Sequence, residues 1–257
     1  MFRRGLPGDA PDRKNPVVVF TGAGMSAESG VRTFRGSGGL WEGYRVEDVA
    51  TPDAFARNPE LVWKFYLERR RQLQKVQPNA GHRAVAAWRE WFGEVPVVTQ
   101  NVDGLHQRAG SVEVIELHGS LIKVRCFDCG GMVEKEPFST MTELPEEGIP
   151  RCVCGGLLRP AVVWFGEALP DEAYRRAVEL VTSCELLVVI GTSNVVYPAA
   201  ALPVMALEHG AKVVEVNIER TALTPSVHRF YEGPAGEILP RWRRDEEPLS
   251  WAAAAKG

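Results

Sequence analysis

Eight residues of this chain have types and spacings that suggest chemistry: His118, Gln100, Asn101, Asp103, and the four cysteines Cys126, Cys129, Cys152 and Cys154. His118 follows a β-branched run in Glu116-Leu-His-Gly-Ser120. An imidazole titrates near neutral pH, so a His held there could take a proton from a hydroxyl. A strand-end capping His is the bland alternative. Gln100, Asn101 and Asp103 fall between a predicted strand and a predicted helix. Amide and carboxylate groups together offer donors and acceptors to a polar ligand, and Asn and Asp also cap helices well. Cys126-x-x-Cys129 and Cys152-x-Cys154 are separated by 22 residues. Four thiolates satisfy tetrahedral zinc and leave no open position, which makes such a site structural. A fifth cysteine, Cys184, stands apart, and an odd count in tight pairs favours metal ligation over disulfides.

The elements that must position these residues read as an α/β fold. Apolar, β-branched runs at 16–21, 95–99, 112–116, 184–190 and 211–217 predict strands. The last two are nearly continuous in apolar residues, as expected of parallel strands covered on both faces. Helical spacing fills 59–76, 79–92, 171–181 and 198–209, with a short helix and a frayed tail over the last ~15 residues. The stretch 126–159 breaks the pattern with both Cys pairs and many Gly, Pro and Glu. It reads as a small zinc-binding module inserted in a Rossmann-like parallel-sheet domain. After the first strand comes Gly22-Ala-Gly-Met-Ser-Ala-Glu-Ser-Gly30. A Gly-rich turn there lets backbone N–H groups approach a pyrophosphate, or is simply a tight turn that needs glycine. Ala27 stands where G-x-G-x-x-G would have its third Gly, which disfavours a hydride-transferring dehydrogenase.

Composition narrows the class. Of 257 residues, 45% are hydrophobic and 25% charged, an ordinary globular balance. A net charge of −3 gives no basic excess of the kind nucleic-acid binders carry. The N-terminal stretch has positive charge but no apolar h-region, and no apolar run approaches ~18 residues. The expectation is a cytoplasmic protein with neither membrane nor nucleic-acid partner.

The Gly loop continues into Val31-Arg-Thr-Phe-Arg35, and 22–35 resembles the first NAD-binding signature of the sirtuins. Further sirtuin-like signatures follow in order: Thr99-Gln-Asn-Val-Asp103, Gly104-Leu-His106, Leu117-His-Gly119, Gly191-Thr-Ser193 and Val216-Asn-Ile-Glu219. The resemblance covers roughly 17–235. It implies a single sirtuin-type domain over 1–257, with the NAD-binding part at 14–122 and 160–240 and the zinc module at 123–159. It implies His118 as the base, with Asn101 and Asp103 completing the catalytic set. NAD contacts are implied for Gly22, Ala23, Gly24, Ser26, Thr33, Phe34, Arg35, Trp41, Gln100, Asn101, Val102, Asp103, Gly191, Thr192, Ser193, Asn217, Ile218, Glu219 and Ala235. His106 is expected to support the fold. The implied reaction transfers an acyl group from lysine to the ADP-ribose of NAD, giving free lysine, nicotinamide and 2′-O-acyl-ADP-ribose. The protein supplies position and proton transfer.

In a subset of sirtuins a Tyr-x-x-Arg pair recognises a distal carboxylate on the acyl group. Tyr66 and Arg69 match that pair. They lie three apart on the predicted helix and so share a face, and Arg offers a bidentate fork. Ala50 matches a position where a small side chain makes room for a longer acyl group. Val162-Val-Trp-Phe-Gly-Glu167 resembles the substrate-binding strand, which implicates Val163, Phe165, Gly166 and Glu167. With 194–197 that strand could clamp a peptide backbone by strand addition. The partners implied are acylated lysine side chains of proteins, and the expected activity removes succinyl or malonyl as well as acetyl groups. A plain deacetylase, a mono-ADP-ribosyltransferase and a non-catalytic NAD or zinc-ribbon protein are the rivals, the last disfavoured by His118, Asn101 and Asp103 occurring together.

Overall fold

A computed structural model describes residues 16–31, 40–41, 43–133 and 138–253. In chain order the strands are β1 (Val17–Thr21), β2 (Leu40–Trp41), β3 (Tyr44–Arg45), β4 (Val97–Thr99), β5 (Val114–Glu116), β6 (Gly119–Cys126), β7 (Met132–Val133), β8 (Leu158–Val162), β9 (Leu186–Ile190), β10 (Lys212–Asn217) and β11 (Arg229–Glu232). Helices α1 (Val46–Val49), α2 (Pro52–Arg57), α3 (Pro59–Lys75), α4 (Ala80–Ala87), α5 (Arg89–Phe92) and α6 (Leu105–Ala109) precede the second half. There follow α7 (Asp171–Ser183), α8 (Leu202–Glu208), α9 (Ala235–Ile238) and α10 (Ser250–Ala253).

Six strands form a parallel sheet in the order β11-β10-β9-β1-β4-β5. Its central strands are apolar at nearly every position because both faces are covered. Val17 and Val19 of β1 point into one core with Val188, Val214, Trp88 and Trp242. Val18 and Phe20 point into the other with Val189, Leu180 and Leu202, under α7 and α8. The chain leaves β1 toward β4 on one side and returns through β9 on the other. The crevice at the carboxyl ends of β1 and β9 is therefore a topological switch point, where open α/β sheets bind ligands.

A second sheet, β7-β6-β8, is antiparallel. It packs against α3 around Trp63, Tyr66, Leu121, Leu158 and Trp164. Two consecutive caps aim α3 at this sheet. Thr51 accepts from the Ala54 N–H ahead of Pro52, and Asn58 accepts from the Leu61 N–H ahead of Pro59; Pro is at home in a first helical turn.

Several boundaries differ from the sequence reading. The expected helix over 79–92 divides at Trp88, whose N–H is shared between the carbonyls of Ala84 and Val85, tightening the turn. The expected helix from 198 opens with a 3₁₀ turn at Ala199–Ala201. The Gly loop itself winds into a 3₁₀ helix, Ala23–Ser29, closed by Gly30 in the left-handed region. The small sheet spans Gly119 to Val162, wider than the 123–159 expected for the inserted module. The segment expected as a strand to 167 ends as strand at Val162 and continues as a turn with Gly166 at φ +88°.

Candidate active site

One cavity of about 650 Å³ opens along the carboxyl ends of the parallel strands. It brings together every site residue expected from the sequence that the structure describes, the cysteines and Trp41 apart. Thr33, Phe34 and Arg35 lie outside the described residues. Trp41 is placed in β2. The cavity floor is two glycine loops in contact. Gly22 N–H donates to the Ile190 carbonyl at 3.0 Å, and Gly24 N–H to the Gly191 carbonyl at 2.8 Å. A Cβ on Gly24 would sit 2.7 Å from the Gly191 Cα, so only glycine permits this approach. Gln100 ties the next loop in, its Nε2 donating to Thr192 Oγ1 at 2.9 Å.

Beneath the floor runs a buried polar network. Thr21 Oγ1 donates to Thr99 Oγ1 at 2.8 Å, which in turn accepts from the Asn101 N–H at 3.0 Å. Asn101 Nδ2 donates to the Gly22 carbonyl at 3.0 Å and to Ser26 Oγ at 3.2 Å. Both amide hydrogens are thus engaged, and Asn101 Oδ1 takes part in neither bond. Ser26 Oγ donates to Asp103 Oδ2 at 2.7 Å, while Asp103 Oδ1 accepts the Leu105 N–H at 2.9 Å. Asp103 thus bonds the first residue of α6 while also lining the cavity, and the N-cap position itself is Gly104. Burial raises its carboxyl above the usual range, opposed by the Leu105 and Ser26 hydrogen bonds and by the Arg69 charge.

Two histidines the sequence did not mark as site residues stand behind this network. His82 Nε2 is 3.5 Å from Ser26 Oγ, and His106 Nε2 is 3.2 Å from Thr21 Oγ1. Their rings meet edge to face with centroids 4.8 Å apart. Burial pushes His82 down to about 4 and His106 down to about 3, so both are neutral in the folded protein. His106 supports the fold as expected. Sequence offered no signal for His82 beyond the Asn79 cap that starts its helix.

His118 is half-buried at the junction of the two sheets. Its Nδ1 lies 3.0 Å from the Gln100 carbonyl, an acceptor, so Nδ1 carries the proton and Nε2 is left as the basic nitrogen. Burial lowers its pKa, opposed by that hydrogen bond.

At the other end of the cavity, Tyr66 (0% exposed) and Arg69 (7%) reach in from α3, facing Ala50 (2%). Of the three adjacent arginines, Arg71 is exposed. Arg70 is buried against the small sheet, with Nε donating to the Leu121 carbonyl and Nη1 to those of Phe138 and Met141. Glu167 lines the cavity, but its carboxylate turns inward: Oε2 accepts from Arg159 Nη2 at 3.0 Å and from the Trp164 N–H at 2.8 Å. Val163 N–H donates to the His118 carbonyl and Phe165 N–H to that of Ala50, joining this segment to its neighbours. Exposed Phe165, Val196 and Tyr197 line the cavity mouth.

The four cysteine sulfurs lie within 4.8 Å of one another. Cys126 Sγ to Cys154 Sγ is 3.5 Å and Cys129 Sγ to Cys152 Sγ is 3.9 Å. Four thiolates at ~2.3 Å from a central zinc would be roughly 3.8 Å apart. The set fits zinc, and the one-residue gap at Val153 does not prevent it.

A doubly wound parallel sheet with a cavity at its switch point, a neutral His facing that cavity, and an attached sheet bearing four clustered thiols together define a two-part dinucleotide-binding protein. The sequence model of the Sir2 family matches residues 22–198. The chain is 56% identical over 227 residues to the NAD-dependent protein deacylase 2 of Pyrobaculum aerophilum, covering 87% of this chain and 88% of that one. It is 54% identical to the NAD-dependent protein deacylase of Aquifex aeolicus, covering 88% and 92%. A crystal structure of a Sir2 homolog–NAD complex superposes with a TM-score of 0.79 at 44% identity, over 93% of this chain and 90% of that one. The chain belongs to the Sir2 family.

Proposed function

We infer that this chain is an NAD-dependent protein-lysine deacylase, and that its acyl pocket accepts succinyl and malonyl groups as well as acetyl. The family membership and the deacylase relatives support the first statement. The second rests on one observation: Tyr66 and Arg69 are buried in the same cavity as His118 and the glycine loops. A carboxylate entering this cavity on an acyl chain would lose its water, which is costly unless a cation meets it. The Arg69 guanidinium is that cation, and the Tyr66 hydroxyl offers a further hydrogen bond.

NAD, when bound, supplies an electrophilic ribose carbon and a nicotinamide leaving group. The residues of this chain do the rest. The glycine loops, bare of side chains at Gly22, Gly24 and Gly191, allow close approach of the pyrophosphate to the backbone. Asn101 and Asp103 hold the carboxamide end, Asn101 through the Oδ1 that its own network leaves over. Ser193, Asn217, Ile218, Glu219 and Ala235 bind the adenosine end. His118 Nε2 takes a proton from a ribose hydroxyl, and the Gln100 carbonyl fixes the ring for it. Val163, Phe165 and Gly166 hold the substrate backbone, and Ala50 leaves space beside Arg69. Cys126, Cys129, Cys152 and Cys154 would hold a structural zinc, closed to substrate by its four thiolates.

Mass spectrometry of acetyl- and succinyl-lysine peptides, incubated with the enzyme with and without NAD, tests this. Both should lose their acyl group only with NAD, yielding 2′-O-acyl-ADP-ribose. Loss without NAD, or ADP-ribosylated peptide as the product, would overturn the deacylase reading. Arg69→Met tests the acidic-acyl part. Breaking a desolvated charge pair costs ~2–5 kcal/mol, so succinyl kcat/KM should fall at least about tenfold further than acetyl kcat/KM. Equal losses on both peptides would make Arg69 structural and remove the succinyl and malonyl assignment.

A further inference from the structure

Trp164 sits between the substrate-binding turn and the acyl pocket, and the steps of the reaction leave it without a part. It is fixed on every side. The backbone N–H donates to Glu167 Oε2 at 2.8 Å. The Arg159 guanidinium, itself paired with Glu167, lies over the indole 3.2 Å from the ring centroid. Phe55 packs against the same ring at 5.5 Å. The remaining polar atom, Nε1, donates to the Tyr66 hydroxyl at 2.8 Å, and both residues are fully buried.

That last bond has a direction. An indole nitrogen can only donate, so the Tyr66 oxygen accepts, and the phenolic proton points elsewhere. Tyr66 lines the cavity beside Arg69. Burial pushes the phenol up to about 12, so that proton is present at any working pH. Without the indole N–H, the hydroxyl would be free to rotate and to act as acceptor or donor, and a rotor presenting lone pairs repels a carboxylate.

We propose that Trp164 is a specificity-determining positioning residue: by donating to the Tyr66 oxygen it obliges the Tyr66 hydroxyl to present its proton to a carboxylate held by Arg69. Arg159 and Glu167 hold the indole in that orientation, which accounts for Glu167 facing inward. The inference rests on the acidic-acyl reading of the pocket. Acetyl-lysine carries no carboxylate, so the device acts on the discrimination between acyl groups.

The test is a double-mutant cycle of Trp164→Phe and Tyr66→Phe, with Arg69→Met beside it and thermal melting to confirm folding. Phenylalanine keeps an aromatic ring over which Arg159 can lie and removes the N–H. One hydrogen bond to an ordered donor corresponds to about a three- to tenfold effect. Trp164→Phe should raise the ratio of succinyl KM to acetyl KM by that factor, and the same change made in a Tyr66→Phe background should leave the ratio where Tyr66→Phe put it. A folded Trp164→Phe with a wild-type ratio overturns the proposal, and so does a change that adds in full to that of Tyr66→Phe. If Tyr66→Phe and Arg69→Met themselves leave the ratio unmoved, the acidic-acyl reading fails first and takes the proposal with it. A folded Trp164→His, whose ring retains an N–H, should keep the ratio closer to wild type than Trp164→Phe does; the reverse order would count against the bond.

Discussion

At the scale of single residues, the proposed chemistry rests on a neutral imidazole. His118 is held neutral by burial, with its proton on the nitrogen that faces the Gln100 carbonyl. A base works in its unprotonated form, and a lowered pKa keeps it so to lower pH. The acid limb of kcat/KM should therefore fall below the ordinary His value of about 6.5, as a pH–rate profile would record. His118→Ala should cost ~100- to 10,000-fold in deacylation, as loss of a general base does, while the circular dichroism spectrum stays that of a folded chain. A folded His118→Ala with near-wild-type turnover would remove the assignment. That His118, Asn101 and Asp103 meet in one cavity was legible in the sequence because motif order marks them. His82, Thr21 and Trp164 were not, since each acquires meaning from a partner 56 to 98 residues away. A lone His at helical spacing, or a Trp in an apolar run, looks like packing until its polar atom is seen to have a destination.

At the scale of elements, the zinc module is more regular than its sequence. Its strands β6 and β8 lie mostly outside the Gly-, Pro- and Glu-rich stretch 126–159, and β7 within it is only two residues long, so composition there did not announce a sheet. The parallel strands β9 and β10 were readable for the opposite reason: both faces are buried, so nearly every position is apolar. Trp88, where the helix divides, stacks on Trp242, 5.7 Å away and from far along the chain, a contact that local pattern cannot report. Arg70 binds carbonyls on both sides of the module and so fastens it to α3, the helix that carries Tyr66 and Arg69. Metal analysis should find about one zinc per chain, as four thiolates imply. Cys152→Ser should lower the melting temperature and the soluble yield, with activity lost alongside the fold. A zinc-free chain as stable and as active as the native one would contradict this.

At the scale of the whole molecule, burying neutral histidines ties stability to pH. His82, His106, His118 and His228 all have lowered pKa values, chiefly through burial. Above about pH 6.5 neither the folded nor the unfolded state protonates them. Below that, the unfolded chain binds protons that the folded chain refuses, so stability falls as pH falls. The loss continues until pH passes through the folded values, about 4 for His82 and about 3 for His106. The raised carboxyl of Asp103 acts in the opposite sense, because the folded state takes up that proton more readily. Four groups against one predict a urea midpoint that declines between about pH 7 and about pH 5. A midpoint that stays level or rises over that interval would show that these rings are hydrated or already charged. No helix among the described residues is long and apolar enough to cross a membrane.

Gly119 joins these scales. It follows His118 directly, has φ +76°, and opens β6; a Cβ there would lie 2.0 Å from the Ala161 carbonyl oxygen. The crossing from the parallel sheet to the sheet that carries Cys126 is thus made where backbone lies directly against backbone. One strand, β6, runs from the residue after His118 to the first of the clustered thiols. Under the proposed function, a chelator that empties the thiolate site is expected to lower activity without competing with either substrate.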